Sequence, residues 1–372
     1  MEGLKRERGK RSLCFVLCAL YFVVSQDTLN VQSPKSKSKV QRTKHKAQIG
    51  MYPFRNILFP TDFSPNSRVA LKYAAAFART SQGRVVVLNV QPSKIPGDLL
   101  IKPQGSFDGT DSQLLNELRI SAQDILRDPV LTSVDVETLF ADGDPAQEIA
   151  RTAVDHEIDL VTVVTRSRKK LSRAFTGSMA EEIVAESPCA VLAVRPAQRD
   201  FVNAQDDHIR PELKTIILAT NFRPSSVAAT LLARQIANHM GAELHVVYVI
   251  GDYLDQISAM FPEGGLAALR RLRGYIEERM TQFARSDGSR TVTTHVDEGR
   301  PYEEIVRRAA RIDADLIVIG TAVHNSLFGG TLVLGSEIER VIRNAPCPVL
   351  CVPAARVVTP LPAFVAQPVP QM

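Results

Sequence analysis

Metal-ligand spacing is missing from this sequence, and so are the common phosphate loops. There is no CxxC and no HExxH, and the seven histidines are scattered without paired spacing. That excludes zinc ribbons and helix-borne metalloprotease sites. Only five cysteines occur. Cys14 and Cys18 lie near the N-terminus, and Cys189, Cys347 and Cys351 read as buried small hydrophobes, which weakly favours a reducing compartment. No GxxxxGK[ST] occurs anywhere. Neither GxGxxG nor SGGxDS follows a candidate first strand. Walker-type NTPases, dinucleotide dehydrogenases and PP-loop pyrophosphatases are thereby excluded.

A long apolar run is also lacking. Leu13 to Val24 is uncharged but has only 12 residues, against the roughly 20 needed to span a bilayer. Five basic residues precede it and Val23-Val24-Ser25 closes it, so the segment has the layout of a signal peptide. Ser33 to Lys39 is then polar and basic, with a disordered composition. The competing reading places the start at Met51, because Met51-Tyr52-Pro53-Phe54-Arg55 leads directly into an apolar strand. The first reading implies export and the second a cytoplasmic protein. The cytoplasmic one is preferred here.

Charge points the same way. The net charge is +5, but residues 1–50 hold 11 Lys or Arg against three acids, so the remainder is at −3. A mildly acidic body is a poor phosphate-backbone binder, and no nucleic-acid partner is expected. Nor is a membrane expected to engage the folded part.

What is present is a repeat. Ile57-Leu58-Phe59-Pro60-Thr61-Asp62-Phe63 returns as Ile216-Ile217-Leu218-Ala219-Thr220-Asn221-Phe222. Asp159-Leu160-Val161-Thr162-Val163 returns as Asp315-Leu316-Ile317-Val318-Ile319, and Ser187-Pro188-Cys189-Ala190-Val191-Leu192 as Ala345-Pro346-Cys347-Pro348-Val349-Leu350. Three matches in one order at nearly one offset mean duplication. The implied organisation is a leader (1–50), a first domain (51–197), a linker (198–212), a second domain (213–354) and a Pro-rich tail (355–372).

Within each repeat, apolar strands alternate with amphipathic helices. Expected strands in the first are 56–60, 84–90, 134–140, 160–164 and 190–194; in the second, 215–219, 243–249, 291–296, 316–319 and 349–351. Ser64-Pro65 predicts a helix start, with Val69, Tyr73 and Phe77 and the alanines Ala70, Ala74 and Ala78 along one face. A further helix is expected near Asp111 to Leu126, and Asp144-Pro145-Ala146-Gln147 predicts another capped start. Five strands with crossovers of this length predict an open parallel sheet, whose ligands sit beyond the strand carboxyl ends.

The Ile57-to-Ser64 segment, Gly143-Asp144-Pro145, and the block from Gly177-Ser178 to Pro188-Cys189-Ala190-Val191-Leu192 resemble a universal stress protein domain, and the resemblance covers both repeats. It implies an α/β fold of two tandem doubly wound five-stranded parallel sheets of order 3-2-1-4-5, adenine nucleotide alpha hydrolase-like. It also implies that the fifth strands pair, making an intramolecular pseudo-dimer, with a further homodimer allowed. Family members that bind ATP carry an Asp after strand one against adenine. They also carry Gly-x-x-Gly-x9-Gly-Ser/Thr after strand four, around phosphate and ribose.

Carried onto the first repeat, these positions are Pro60, Thr61 and Asp62, Val90 at the end of strand two, Val164 and Ser167 where the first two glycines belong, and Gly177 and Ser178. On the second repeat they are Thr220, Asn221, Gly320, Gly335 and Ser336, with Val323 at the middle glycine position. Gly320 to Gly335 is two positions longer than the family spacing. Small residues and a helix N-terminus suit phosphate, and the basic loop Arg166 to Arg173 would add charge. Against this, Ser178-x-x-Glu181 and Ser336-x-x-Glu339 also read as capping boxes, and Asp62 as a turn residue.

The resemblance implies a stress-response protein with ATP as its ligand, and a partner contact that responds to occupancy. The lost glycines favour an alternative, a tandem interaction or dimerisation module without nucleotide. Dedicated catalysis is not expected beyond slow ATP hydrolysis. The charged face on Arg270, Arg271, Arg273, Glu277, Glu278 and Arg279 reads as solvated, over a core stripe of Leu266, Leu269, Leu272 and Ile276. Residues 253–265 read as a candidate partner-contact loop.

Overall fold

The computed structural model describes residues 53–91, 120–165, 177–196, 198–203, 209–223, 225–251, 265–285, 292–321, 323–325 and 332–354. The expected partner loop at 253–265 therefore falls almost wholly outside the described residues. So does most of the expected helix at 111–126, of which 120–126 is helical.

The first repeat runs β1 (Asn56–Pro60), α1 (Arg68–Ser81), β2 (Arg84–Gln91), β3 (Asp135–Asp142), α2 (Pro145–Asp155), β4 (Leu160–Val164), α3 (Gly177–Glu186) and β5 (Ala190–Val194). Two short strands follow, β6 (Val202–Asn203) and β7 (Arg210–Pro211). The second repeat runs β8 (Thr215–Ala219), α4 (Ser225–Met240), β9 (Glu243–Ile250), α5 (Gly265–Arg285), β10 (Val292–Glu298), α6 (Pro301–Arg311), β11 (Leu316–Thr321), β12 (Val323–Asn325), β13 (Leu332–Leu334), α7 (Ser336–Asn344) and β14 (Val349–Pro353).

Ten strands form one sheet in the order β10-β9-β8-β11-β14-β5-β4-β1-β2-β3. Each half has the order 3-2-1-4-5 and is parallel throughout. The halves join through one antiparallel pair, Cys351 opposite Val191 and Val349 opposite Ala193. The fifth strands thus meet as the resemblance implies, and the two sheets continue into one another. Strands covered on both faces must be apolar on both. Alternate residues accordingly enter two cores: Ile57, Phe59, Val85 and Val87 lie under α1, and Leu58, Val86 and Leu88 face α2.

α1 starts later than its sequence predicts. Ser64 opens a turn ahead of the helix: Ser67 N donates to its carbonyl (3.1 Å) and to its Oγ (3.3 Å), Ser67 Oγ donates to the same carbonyl (2.8 Å), and α1 begins at Arg68. The expected face is otherwise present, with Ala70, Tyr73, Ala74, Phe77 and Ala78 buried. α2 starts where Asp144 predicts, its Oδ1 accepting from Gln147 N at 3.1 Å. Of the α5 stripe, Ile276 is buried and Leu272 half-buried. The three described cysteines are buried, and burial pushes the Cys347 and Cys351 thiols up to about 12.

The segment between the repeats is docked. Phe201 meets Tyr73 edge-on with ring centroids 5.0 Å apart, β6 and β7 pair antiparallel, and Lys72 of α1 pairs with Asp200. Among the described residues no helix is long and apolar enough to cross a membrane.

Two stability predictions arise here. Thr162 on β4 is fully buried, and its hydroxyl has no hydrogen-bond partner among the described residues. Since an unsatisfied buried hydroxyl is unfavourable, Thr162→Val is expected to stabilise by about 1 kcal/mol, read as a raised urea midpoint.

The second concerns β9 and β10. His245 Nδ1 and His295 Nε2 lie 3.0 Å apart with ring planes within 2°, the arrangement of an in-plane N–H···N bond. Burial, then the Arg308 guanidinium and His245, push the His295 pKa below its ordinary value. The unfolded chain therefore takes up this proton first as pH falls below about 6.5, and stability is lost through that window. His295→Gln is expected to narrow the gap in melting temperature between pH 7.5 and pH 5.5. An unchanged gap would show that His295 does not contribute to it.

Candidate functional site

β1 and β4 are parallel neighbours (Ile57 opposite Leu160, Leu58 opposite Val161), so the segments leaving them emerge side by side at one sheet edge. The turn after β1 is held from below. Thr61 N donates to Leu88 O at 2.9 Å, and Thr61 O accepts from Asn89 Nδ2 at 2.8 Å. The buried Thr61 hydroxyl bonds Ser67 Oγ (2.8 Å) and accepts from Phe63 N (2.9 Å). Phe63 sits in the left-handed region at φ 59°, which turns the chain back over the sheet and sets Asp62 at the edge. Asp62 Oδ1 accepts from Ser64 N at 3.0 Å, so the turn role is real. Its Oδ2 takes no hydrogen bond among the described residues.

The second repeat reproduces the frame with different chemistry. Thr220 N donates to Val247 O at 3.0 Å, Thr220 Oγ1 accepts from Phe222 N at 3.1 Å, and Phe222 has φ 56°. Asn221 Oδ1, however, takes two donors, Arg223 N at 3.1 Å and Ser226 Oγ at 2.8 Å. The backbone donor fixes the orientation of this carboxamide, leaving its NH2 outward. Where Asp62 keeps an acceptor oxygen, Asn221 offers a donor. Phe222 also stacks on Tyr248 (5.5 Å), with the Arg279 guanidinium 5.1 Å over its ring.

The remaining expected residues divide by role. Pro60 is buried at the end of β1. Val90 is 9% exposed with its side chain in the core facing α2, so only its backbone can face a ligand. Val164 ends β4, half-buried, opposite Val194. Gly177 and Ser178 open α3. Ser167 and the basic loop lie outside the described residues.

Gly320 has a packing reason: a Cβ there would lie 2.1 Å from Ser225 O at the start of α4. Gly335 has none among the described residues, where the nearest atom to its Cβ position is Ile338 Cδ1 at 3.9 Å. Gly335 is the N-cap of α7 with no side-chain cap, and Ser336 is the first helical residue and exposed. The capping box expected at Ser336-x-x-Glu339 is therefore not formed. At α3, the Glu181 carboxylate takes two Arg343 N–H groups, Nε and Nη2, at 2.6 Å each.

Sequence reasoning missed Asn89, Ser226 and Tyr248. Asn89 carried a signal, a lone amide in the otherwise apolar run Val85 to Val90. Also repeated is a glycine with positive φ at the end of strand three, Gly143 (146°) and Gly299 (137°), whose N–H bonds the end of strand two at Gln91 O and Ile250 O, each 3.0 Å.

Two five-stranded units of this order, with this turn after each first strand, agree with the sequence comparison. The profile of the universal stress protein family matches residues 53–195 and 212–353. The chain belongs to the universal stress protein family. A universal stress protein of Methanocaldococcus jannaschii is 34% identical over 150 residues, 37% of this chain and 81% of that protein. One from Thermus aquaticus is 35% identical over 139 residues, 37% of this chain and 98% of its own length. The crystal structure of a universal stress protein from Archaeoglobus fulgidus covers 80% of this chain and 98% of itself, with a TM-score of 0.54 at 22% identity. That likeness is one of fold.

Proposed function

We propose that this tandem universal stress protein binds an adenine nucleotide at its first repeat, in a cytoplasmic stress-response role in which occupancy alters contacts with a protein partner. The supporting observation is the Asp62 Oδ2 at the sheet edge, unengaged among the described residues, set against the doubly engaged Asn221 Oδ1. An exocyclic amine needs an acceptor, and only the first repeat offers a charged one. Gly177 and Ser178 at the start of α3 would face phosphate with backbone N–H groups. Binding alone does the work in this reading, and no dedicated catalysis is involved.

A second reading, an interaction module without nucleotide, is favoured by the two non-glycine positions Val164 and Ser167. Calorimetric titration of the full chain with ATP separates the two. A charge-assisted hydrogen bond is worth about 1.5–3 kcal/mol, so Asp62→Ala is expected to weaken ATP binding by about 10-fold or more. Gly177→Val should weaken it as well. Absence of heat with the parent chain would support the interaction module, and equal affinity in all three proteins would exclude this site.

A further inference from the structure

The second repeat reaches across the seam to the helix that opens the first repeat's site. After β11, the chain forms the antiparallel pair β12–β13, with Val323 opposite Leu334 and Asn325 opposite Leu332. β13 packs against α3. Leu334 is 4% exposed, in the same core as Ala180, Ile183 and Val184 of α3 and Val341 and Ile342 of α7. One turn into α3, Glu181 is held by two N–H groups of Arg343, which lies in the last turn of α7. Arg195, just beyond β5, closes the arrangement by donating to Arg343 O (2.8 Å) and to Ala345 O at the C-terminus of α7.

We propose that Leu334 and Arg343 are positioning residues for the first repeat's nucleotide site, and that the chain takes one nucleotide rather than two. This rests on the nucleotide reading above. A helix moves as a unit, so apolar contacts at 180–184 and the bidentate pair at 181 determine where the amides of Gly177 and Ser178 stand. Holding them in place before ligand arrives removes an ordering penalty from binding. The same contacts commit the second repeat. Its post-β11 segment serves as a clamp on α3, Gly320 is closed against Ser225, and Asn221 presents a donor where the first repeat presents a carboxylate.

The test is calorimetry of the full chain with ATP, paired with amide hydrogen exchange of α3 without ligand. The expected stoichiometry is one ATP per chain. Leu334→Ala removes a buried side chain and is expected to weaken binding by about 10-fold and to speed exchange at 179–184. The volume-conserving Leu334→Met should retain both near the parent values. Arg343→Gln, on a side chain 56% exposed, leaves the fold intact whatever Leu334→Ala does, and is expected to cause a loss of about threefold, the scale of a partly exposed pair.

Two ATP per chain would overturn the proposal. So would unchanged affinity with unchanged α3 exchange in both Arg343→Gln and Leu334→Ala. A parent chain that binds no ATP would overturn the nucleotide reading and the stoichiometry with it. Faster α3 exchange in the variants would then still register the clamp, which separates the two failures.

Discussion

Gly320→Ala is expected to destabilise the protein by about 3 kcal/mol, the upper range for overpacking, and to lower the melting temperature by about 6–10 °C. The added carbon would lie 2.1 Å from Ser225 O, 2.8 Å from Ser225 C and 3.0 Å from Ser226 Cα. All three are backbone atoms of the first turn of α4, so no side chain can rotate aside. Relief requires moving a helix whose Ala229, Ala233, Ile236 and Ala237 are buried. The first repeat has Val164 at the corresponding position without conflict. Aligning Thr61 with Thr220 places Ser225 on Asn66, two residues before α1 begins, so α4 starts early and comes to rest against β11. A variant that melts with the parent but loses nucleotide would assign Gly320 to ligand instead.

This position shows what the sequence could and could not convey. The fold was readable because it is written twice and its strands are continuous apolar runs. Four of the ten main-sheet strands begin and end where expected, and the other six differ at one or both ends by up to two residues. Strand ends in parallel sheets are set by how far each neighbour extends, which hydropathy does not encode. The helix start at Ser64 failed for a related reason. A serine before a proline fits a cap or a turn equally well; Ser64 takes Ser67 N on both its Oγ and its carbonyl, so a turn comes first and the helix opens at Arg68.

The candidate site was legible at the level of type and hidden at the level of bonding. Asp62 and Asn221 differ by one group in sequence, but their difference in function depends on Ser226, which engages the Asn221 oxygen from five residues away. Ser67, the matching residue of the first repeat, bonds Thr61 instead and leaves Asp62 alone. Gly335 fits a ligand role better than Gly320, although the two glycines look alike in sequence, because only Gly320 has backbone against it.

Asp315→Ala is expected to destabilise by about 3–4 kcal/mol, because it strips a buried charge from three donors at once. Asp315 is 4% exposed. Its Oδ2 accepts from Lys214 N (2.7 Å) and Thr215 N (2.9 Å), and its Oδ1 from Arg199 Nε (2.9 Å). The carboxylate thereby fastens the foot of β11 to the first amides of β8. Asp159 does the same for β4 and β1, accepting from Arg55 N and Asn56 N at 3.0 Å each. The repeated Asp at the head of each fourth strand is therefore a tether, at the opposite sheet edge from the proposed site.

The two tethers are unequal. Asp159 is half-buried and pairs with no guanidinium among the described residues, so Asp159→Ala should lose only about 1–2 kcal/mol, the scale of partly solvated hydrogen bonds. Arg199 belongs to the docked segment between the repeats, and its N–H also bonds Pro346 O at 2.9 Å. Asp315→Asn should fall between parent and Ala. One carboxamide oxygen can still accept from the two backbone amides, but the NH2 then faces the guanidinium. Urea midpoints for the three variants measure the order directly. Equal losses at 159 and 315 would mean that the arginine adds nothing to the tether.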